Sequence, residues 1–299
     1  RSLGDSKTPL FFLVLSSVLN VILDLAFILI FKLGVFGASL ATVLSQAISG
    51  MLCLLFIAVK VPILHITREE WRPQSKRMIE LCAYGVPMGL QYSITAIGSV
   101  ILQVAVNSLG SLSVAAVTAA SKVLNFLACP FDALGSTYGA QNVGASRYDR
   151  LNKGIYSASL MGFGYSLLAL AIAWFFGRSL TGLFVSGDSS AQLVELAQTY
   201  MVTNVIAYPL LTLVNVVRFM IQGMGFSMFA ILAGVMEMIA RSLAGVFLVP
   251  ALGYFGAALG SPLAWVAADI FLVPAYFRCR RVLMSQSHHL HVKAEEGEL

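Results

Sequence analysis

Eight long apolar runs divide the chain, at roughly 9–31, 37–59, 84–107, 112–139, 154–176, 192–217, 227–249 and 254–277. Each exceeds the ~20 residues a helix needs to cross a hydrocarbon layer about 30 Å thick. Strands of a membrane barrel would alternate apolar and polar positions over segments of ~10 residues. These runs do not alternate. Backbone groups in hydrocarbon must be satisfied internally, by helices or by closed barrels. The pattern therefore predicts an all-α, polytopic membrane helix bundle of eight transmembrane helices.

Composition agrees with the pattern. Charged residues make up 11% of the 299 residues and apolar residues 58%. A usual soluble level of charge is about 25%. Mean hydropathy is +0.84. A soluble fold of this size cannot hide so much apolar surface, and disorder needs the opposite composition. The four cysteines, Cys53, Cys82, Cys129 and Cys279, form no CxxC pair. They read as small buried hydrophobes rather than a disulfide framework or a metal site.

Charge sets the expected orientation. Alternate connections, counted from the N-terminal segment, place fifteen Lys and Arg on one side and two, Lys32 and Arg178, on the other. Arg218 is counted among the fifteen, and Lys122 and Arg241 fall within runs. This asymmetry predicts cytoplasmic placement of both chain ends, in the plasma (inner) membrane. It also accounts for the sequence pI of about 9.1 without nucleic acid as a partner. Residues 60–83 hold five basic residues, Glu69, Glu70, Glu80 and Trp71, the pattern of a cytoplasmic interfacial connector. It separates a two-helix segment, 1–59, from a six-helix segment, 84–277. Residues 278–299, with His288, His289 and His291, read as a solvated cytoplasmic tail. With no P-loop, HExxH motif or Ser/His/Asp cluster, the residues suggest neither an ATP-driven pump nor an enzyme.

One unit recurs. Lys32-Leu-Gly-Val-Phe-Gly-Ala-Ser-Leu-Ala41 matches Ala251-Leu-Gly-Tyr-Phe-Gly-Ala-Ala-Leu-Gly260 at an offset of 219, and Leu3-Gly-Asp-Ser6 matches Met224-Gly-Phe-Ser227 at 221. Internal repeats are a transporter signature, with the substrate site between the halves. The second copy closes six spans and the first closes two, so the arithmetic suggests a 6+6 protein whose first four spans lie outside this chain.

These residues carry a resemblance. Arg1-Ser-Leu-Gly-Asp-Ser-Lys-Thr-Pro9 and Leu33-Gly-Val-Phe-Gly-Ala-Ser-Leu-Ala-Thr42 resemble the fifth and sixth helices of MATE (multidrug and toxic compound extrusion) exporters. Gly85-Val-Pro87 and Ala140-Gln-Asn-Val-Gly-Ala145 resemble that family's seventh helix and eighth-to-ninth loop. The resemblance implies an N-terminally truncated member: 1–59 as the last two helices of the N-terminal lobe, 84–277 as a complete six-helix C-terminal lobe. It further implies a monomer that exchanges Na⁺ or H⁺ for amphiphilic, often cationic drugs across a cavity between lobes, with no cofactor beyond the coupling ion.

Ionisable residues within spans cost about 2.5–3.5 kcal/mol on insertion scales and are functional candidates. Asn20 and Asp24 share a helix face, four residues apart, and Thr42 lies near the start of the next, antiparallel run. Together they offer hard oxygen ligands suited to Na⁺, or a proton site on Asp24. The resemblance sharpens this, because one family branch joins an Asn and an Asp of the fifth helix to a Thr of the sixth, completed by a first-helix Asp. Another branch uses a seventh-helix Glu and a tenth-helix Asp. Those positions fall here at Thr95 and about Leu213, so that site is not carried over. Glu237 and Arg241, spaced i,i+4, are expected to form an intramembrane ion pair. Lys122 and Asp132, ten residues apart, are about 15 Å distant along a helix and cannot pair. Asp269 sits in the inner half of the last span. Tyr92, Asn107, Tyr138 and Asn215 are candidates for lining a substrate cavity. Pro130, Pro209 and Pro262 predict kinks. Gly85-x3-Gly89, Gly135-x3-Gly139 and Gly256-x3-Gly260 predict close helix contacts.

The leading functional expectation is a cation-coupled multidrug antiporter. A lipid-linked oligosaccharide flippase of the same superfamily would need a strongly basic cavity, and only Lys122 and Arg241 are counted within spans. A non-transporting membrane subunit is the third reading.

Overall fold

Asp5 starts the first helix. In the computed structural model of the chain, which describes residues 5, 7–62, 74–128, 132–184 and 190–295, its Oδ1 accepts from the backbone N–H groups of Lys7 and Thr8 at 3.0 and 3.1 Å. This is a side-chain N-cap. Hydrogen bonding from Thr8 above all holds the Asp5 carboxyl below its ordinary range.

The chain divides into two compact units, Arg1–Met78 and Ile79–Leu299. In the first, α1 (Lys7–Leu25) runs into a π-helical turn, Ala26–Ile30, and α2 (Gly34–Lys60) folds back on it. The buried residues of α2 are Gly37, Ala41, Ser45 and Ser49, one per turn. Small side chains let the two helices approach closely, and Ser49 Oγ donates to the Phe12 carbonyl at 2.8 Å. Leu10, Phe11, Val14 and Val18 of α1 are exposed, the apolar exterior that hydrocarbon solvent requires.

The second unit takes all but the first four residues of α3 (Ser75–Asn107), then α4 (Ser111–Phe126), α5 (Asp132–Gly144), α6 (Asp149–Gly182), α7 (Ser190–Ile206) and α8 (Tyr208–Gly223). It ends with α9 (Ser227–Leu243), a π-helical turn (Ala244–Leu248), α10 (Val249–Leu252) and α11 (Tyr254–Glu295). No strand occurs among the described residues. α11 packs on α7, α8 and α9, and α6 on α7 and α8. The core between them includes Val106, Val117, Leu151, Met201, Met220, Ile221 and Leu272.

Among the described residues, six helical stretches are long and apolar enough to cross a bilayer: Lys7–Ile30, Gly34–Lys60, Ser75–Asn107, Asp149–Gly182, Ser227–Leu252 and Tyr254–Ser285. The predicted run 192–217 is a broken pair, Ala191–Ile206 and Tyr208–Gly223, bent by 49°. Pro209 sits in the first turn of α8, where its missing N–H costs least. The run 112–139 is two shorter helices, α4 and α5, and Cys129 and Pro130 lie outside the described residues. α3 begins at Ser75, inside the predicted connector, whose Glu69, Glu70 and Trp71 also lie outside them. α11 continues to Glu295 through most of the predicted tail. The tail histidine side chains lie outside the described residues.

The repeat appears in local geometry. Gly34 and Gly253, equivalent at offset 219, have φ +55° and +58°, values that glycine adopts without steric penalty. Each follows a π-helical turn, Ala26–Ile30 in one unit and Ala244–Leu248 in the other.

The three glycine pairs differ. A Cβ on Gly135 would lie 2.9 Å from the Val216 carbonyl oxygen and 3.0 Å from the Met220 nitrogen. One on Gly139 would lie 3.0 Å from Met220 Sδ, so α5 rests directly on α8. Gly256 and Gly260 likewise sit tightly against Leu248 and Leu102. Gly85 and Gly89 meet nothing within 4 Å, so the close contact expected of that pair is not made among the described residues. Gly135→Leu should therefore lower stability by about 1–3 kcal/mol through overpacking. Gly85→Ala should leave it unchanged or slightly raised. Thermal unfolding of the detergent-solubilised variants measures the contrast.

Candidate functional site

Within the first unit, the α1–α2 pairing brings two predicted ligands together. Asn20 Nδ2 donates to Thr42 Oγ1 at 3.4 Å, and Thr42 Oγ1 donates to the Ala38 carbonyl at 3.1 Å. Asp24 lies one turn beyond Asn20, immediately before the π-helical turn. Its Oδ1 is buried and has no hydrogen-bond partner among the described residues. A buried acceptor without a partner is costly. A cation or a proton at this oxygen would relieve that cost, with Asn20 one helical turn away on the same helix and bonded to Thr42.

The second unit holds a larger ionic group. Glu237 and Arg241 form the predicted pair, Oε2 to Nη1 at 3.1 Å. The same carboxylate binds Arg218 Nη2 through Oε1. Arg218 was assigned by position to a cytoplasmic connection, and the structure corrects this. It lies inside α8 and is 6% exposed, beside Glu237 at 2% and Arg241 at 6%. Without Arg218, the charge asymmetry between alternate connections is fourteen Lys and Arg to two. The continuing apolar stretch Phe219-Met220-Ile221 was the signal that the run does not stop at Val217. Asp269 of α11 is 7% exposed, and neither carboxylate oxygen has a hydrogen-bond partner among the described residues. It interacts electrostatically with Arg218 and Glu237. A buried ion pair is held in place mainly by the cost of separating it, since removing one partner strands a charge.

Beside this group is a cavity of about 350 Å³. Its lining residues come from α3, α4, both sides of the α7–α8 bend, α9 and α11. Asn204 Nδ2 donates to the Tyr200 carbonyl at 2.9 Å and toward Ala258 at 3.4 Å. Tyr208 Oη donates to the Leu124 carbonyl at 3.2 Å. These bonds fix the bend. Gln103, Asn125, Asn204, Arg241, Ser261 and Trp265 are on the wall. None of them except Arg241 was marked by sequence, because an isolated Gln, Asn or Ser in an apolar run carries no pattern.

The four predicted cavity residues do not meet there. Tyr92 is exposed on α3. Asn107 accepts from Gln103 Nε2 at 3.1 Å. Tyr138 Oη donates to the Arg150 carbonyl at 3.2 Å, joining α5 to α6. Asn215 is half-buried on α8 and absent from the cavity wall. Lys122 lies over the Phe184 ring, 5.4 Å from its centre, a cation–π contact. The Asp132 side chain lies outside the described residues. Thr95, Leu213 and the prolines bring no carboxylate to these walls.

Long apolar helices, one bent pair among them and buried polar groups define a polytopic membrane helix bundle. Residues 87–247, more than half of the chain, match the MatE family model, and the chain belongs to that family. It is 29% identical over 200 residues to the probable multidrug resistance protein YpnP of Bacillus subtilis, covering 65% of this chain and 44% of YpnP. It is 22% identical over 244 residues to the multidrug export protein MepA of Staphylococcus aureus, covering 79% of this chain and 53% of MepA. The chain thus spans about half the length of the curated relatives it matches. Among solved structures, a MATE protein in complex with MaL6 superposes with a TM-score of 0.87 at 21% identity, over 94% of this chain and 64% of that one. An outward-facing multidrug resistance MATE transporter of the MOP superfamily gives 0.86 at 21% identity over the same shares.

Glu237 carries two guanidiniums, so Glu237→Gln should destabilise the protein by about 3–5 kcal/mol. Glu195→Gln, which breaks the exposed Arg178–Glu195 pair at 3.1 Å, should cost no more than about 1 kcal/mol. Parallel thermal melts in detergent compare them.

Proposed function

We propose that the protein works as a cation-coupled antiporter that exports amphiphilic, often cationic drugs by alternating access. Membership of the MatE family supports the transport role. The observation that carries the coupling is the juxtaposition of Asn20, Thr42 and Asp24, with a buried Asp24 oxygen that lacks a hydrogen-bond partner among the described residues. Na⁺ would take oxygens from Asp24, Asn20 and Thr42, and H⁺ would occupy Asp24 alone. Either ion shifts the inward–outward balance only by binding the two states unequally. The π-helical turn directly after Asp24 gives α1 a local irregularity at the site, a position where such turns are frequent in functional helices. In this reading the protein is a monomer in the plasma membrane, with both ends of this chain cytoplasmic. It has no cofactor beyond the coupling ion, catalyses no covalent chemistry and takes no nucleic acid.

Asp24→Asn should abolish dye efflux and drug resistance, at least tenfold, in an efflux-deficient host, with unchanged protein in the membrane fraction. Thr42→Ala should weaken efflux severalfold. Collapse of the Na⁺ gradient and of the pH gradient, applied separately, identifies the ion. Unchanged efflux in Asp24→Asn rejects the site.

A further inference from the structure

Among the described residues that line the α7–α8 cavity, Arg241 is the charged one and none is a carboxylate. Arg241 is nine-tenths buried and, among the described residues, its ion-pair partner is Glu237. Glu237 is itself shared, its other oxygen held by Arg218. Arg218 has a second acidic neighbour in Asp269, whereas the carboxylate on Arg241 is the shared Glu237. A guanidinium has five N–H donors in a planar fork suited to carboxylate, and Glu237 engages one edge of Arg241. The rest of the wall is aromatic and amide. Tyr208 and Trp265 meet edge to face with centres 6.1 Å apart, with Tyr200, Asn125 and Asn204 beside them. The volume, about 350 Å³, falls at the lower end of the ~300–1,000 Å³ range of small-molecule pockets.

The repeat supplies an independent argument. In the first unit a polar pair four residues apart, Asn20 and Asp24, precedes the π-helical turn at Ala26. In the second, Glu237 and Arg241 precede the π-helical turn at Ala244. The pairs differ by one residue in register, Asp24 standing two residues before its turn and Arg241 three. The turn before each π-helical segment thus carries an acid in one unit and a base in the other, one residue apart in register.

We infer that the α7–α8 cavity is a binding site for a small organic anion, a carboxylate attached to a planar apolar body. The carboxylate pairs with the free edge of Arg241, and the ring lies against Tyr208 and Trp265. Glu237 stays paired with Arg218 when Arg241 turns toward the ligand, so no carboxylate is stranded. A cationic amphiphile of the same shape meets the buried like charge of Arg241 and, among the described lining residues, no carboxylate, a repulsion that low dielectric strengthens. This site lies wholly in the second unit and is separate from the cation reading at Asp24.

The probe is radiolabelled 2-naphthoate, compared with 2-naphthylmethylammonium, on the full chain in phosphatidylcholine nanodiscs. Saturable naphthoate binding is expected, at least tenfold tighter than the ammonium. Arg241→Gln should weaken it at least tenfold, Arg241→Lys less, and Asp24→Asn not at all. Ser121→Leu narrows the cavity without touching an ion pair and should also weaken it at least tenfold. That variant, with the naphthoate-to-ammonium ratio of the unaltered chain, decides the matter if Arg241→Gln fails to fold. Naphthoate uptake equal to that of protein-free discs, equal or tighter ammonium binding, or full binding by a folded Arg241→Gln overturns the site. Because transport assays at Asp24 are separate measurements, either reading can fail alone.

Discussion

Hydrocarbon has no hydrogen-bond donors or acceptors, and the organisation of this protein follows from that lack. Backbone groups are satisfied within helices. Hydroxyl side chains fold back on their own helices in the same way: Ser39 to the Val35 carbonyl, Ser93 to Gly89, Thr118 to Val114 and Thr203 to Thr199. Groups too polar to be hidden on one helix must find partners on another. Asn20 reaches Thr42, and Arg218 and Arg241 converge on Glu237. Buried Gln91 and Gln222 join α3 to α8 by an amide hydrogen bond. The polar residues therefore do more than survive the bilayer, because each choice of partner fixes which helix faces meet.

Small residues and one proline turn that constraint into shape. Gly135 and Gly139 allow α5 to lie on the backbone of α8. Across the second unit, Gly98 of α3 would bring a Cβ to 2.8 Å from Met238 Cα on α9. Such close approaches fill space that larger side chains would leave ragged. At Ala207 the opposite occurs. The α7–α8 helix breaks, its two parts diverge by 49°, and Asn204 and Tyr208 secure the gap. Close packing and this secured break lie beside the cavity that has Arg241 on its wall.

The two π-helical turns place polar chemistry at matched points of a repeated unit. The repeat alone does not set the sign of the charge there. With Arg218 buried, the spans hold Lys122, Arg218 and Arg241 against Asp24, Asp132, Glu195, Glu237 and Asp269, a balance less acidic than the runs by themselves implied. The first unit presents a carboxylate and the second a guanidinium. A duplicated scaffold can thus diverge in ligand class through single side chains, while its turns and glycines stay fixed by backbone geometry.

Much of this was legible in the residues alone. Apolar run length and the absence of alternation dictate a helical membrane bundle, since both act locally along the chain. The Gly34 and Gly253 turns, the Glu237–Arg241 pair and the Asn20–Asp24 face follow from short spacings for the same reason. Tertiary structure decided the rest. An arginine at the end of an apolar run can extend toward water or be buried, and Arg218 is buried because α8 and α9 present it to Glu237. Gly85 and Gly135 sit in identical spacings, yet only Gly135 meets another backbone. The cavity residues belong to six helices that lie far apart in sequence. Their union depends on which faces pack, a property that no single helix carries.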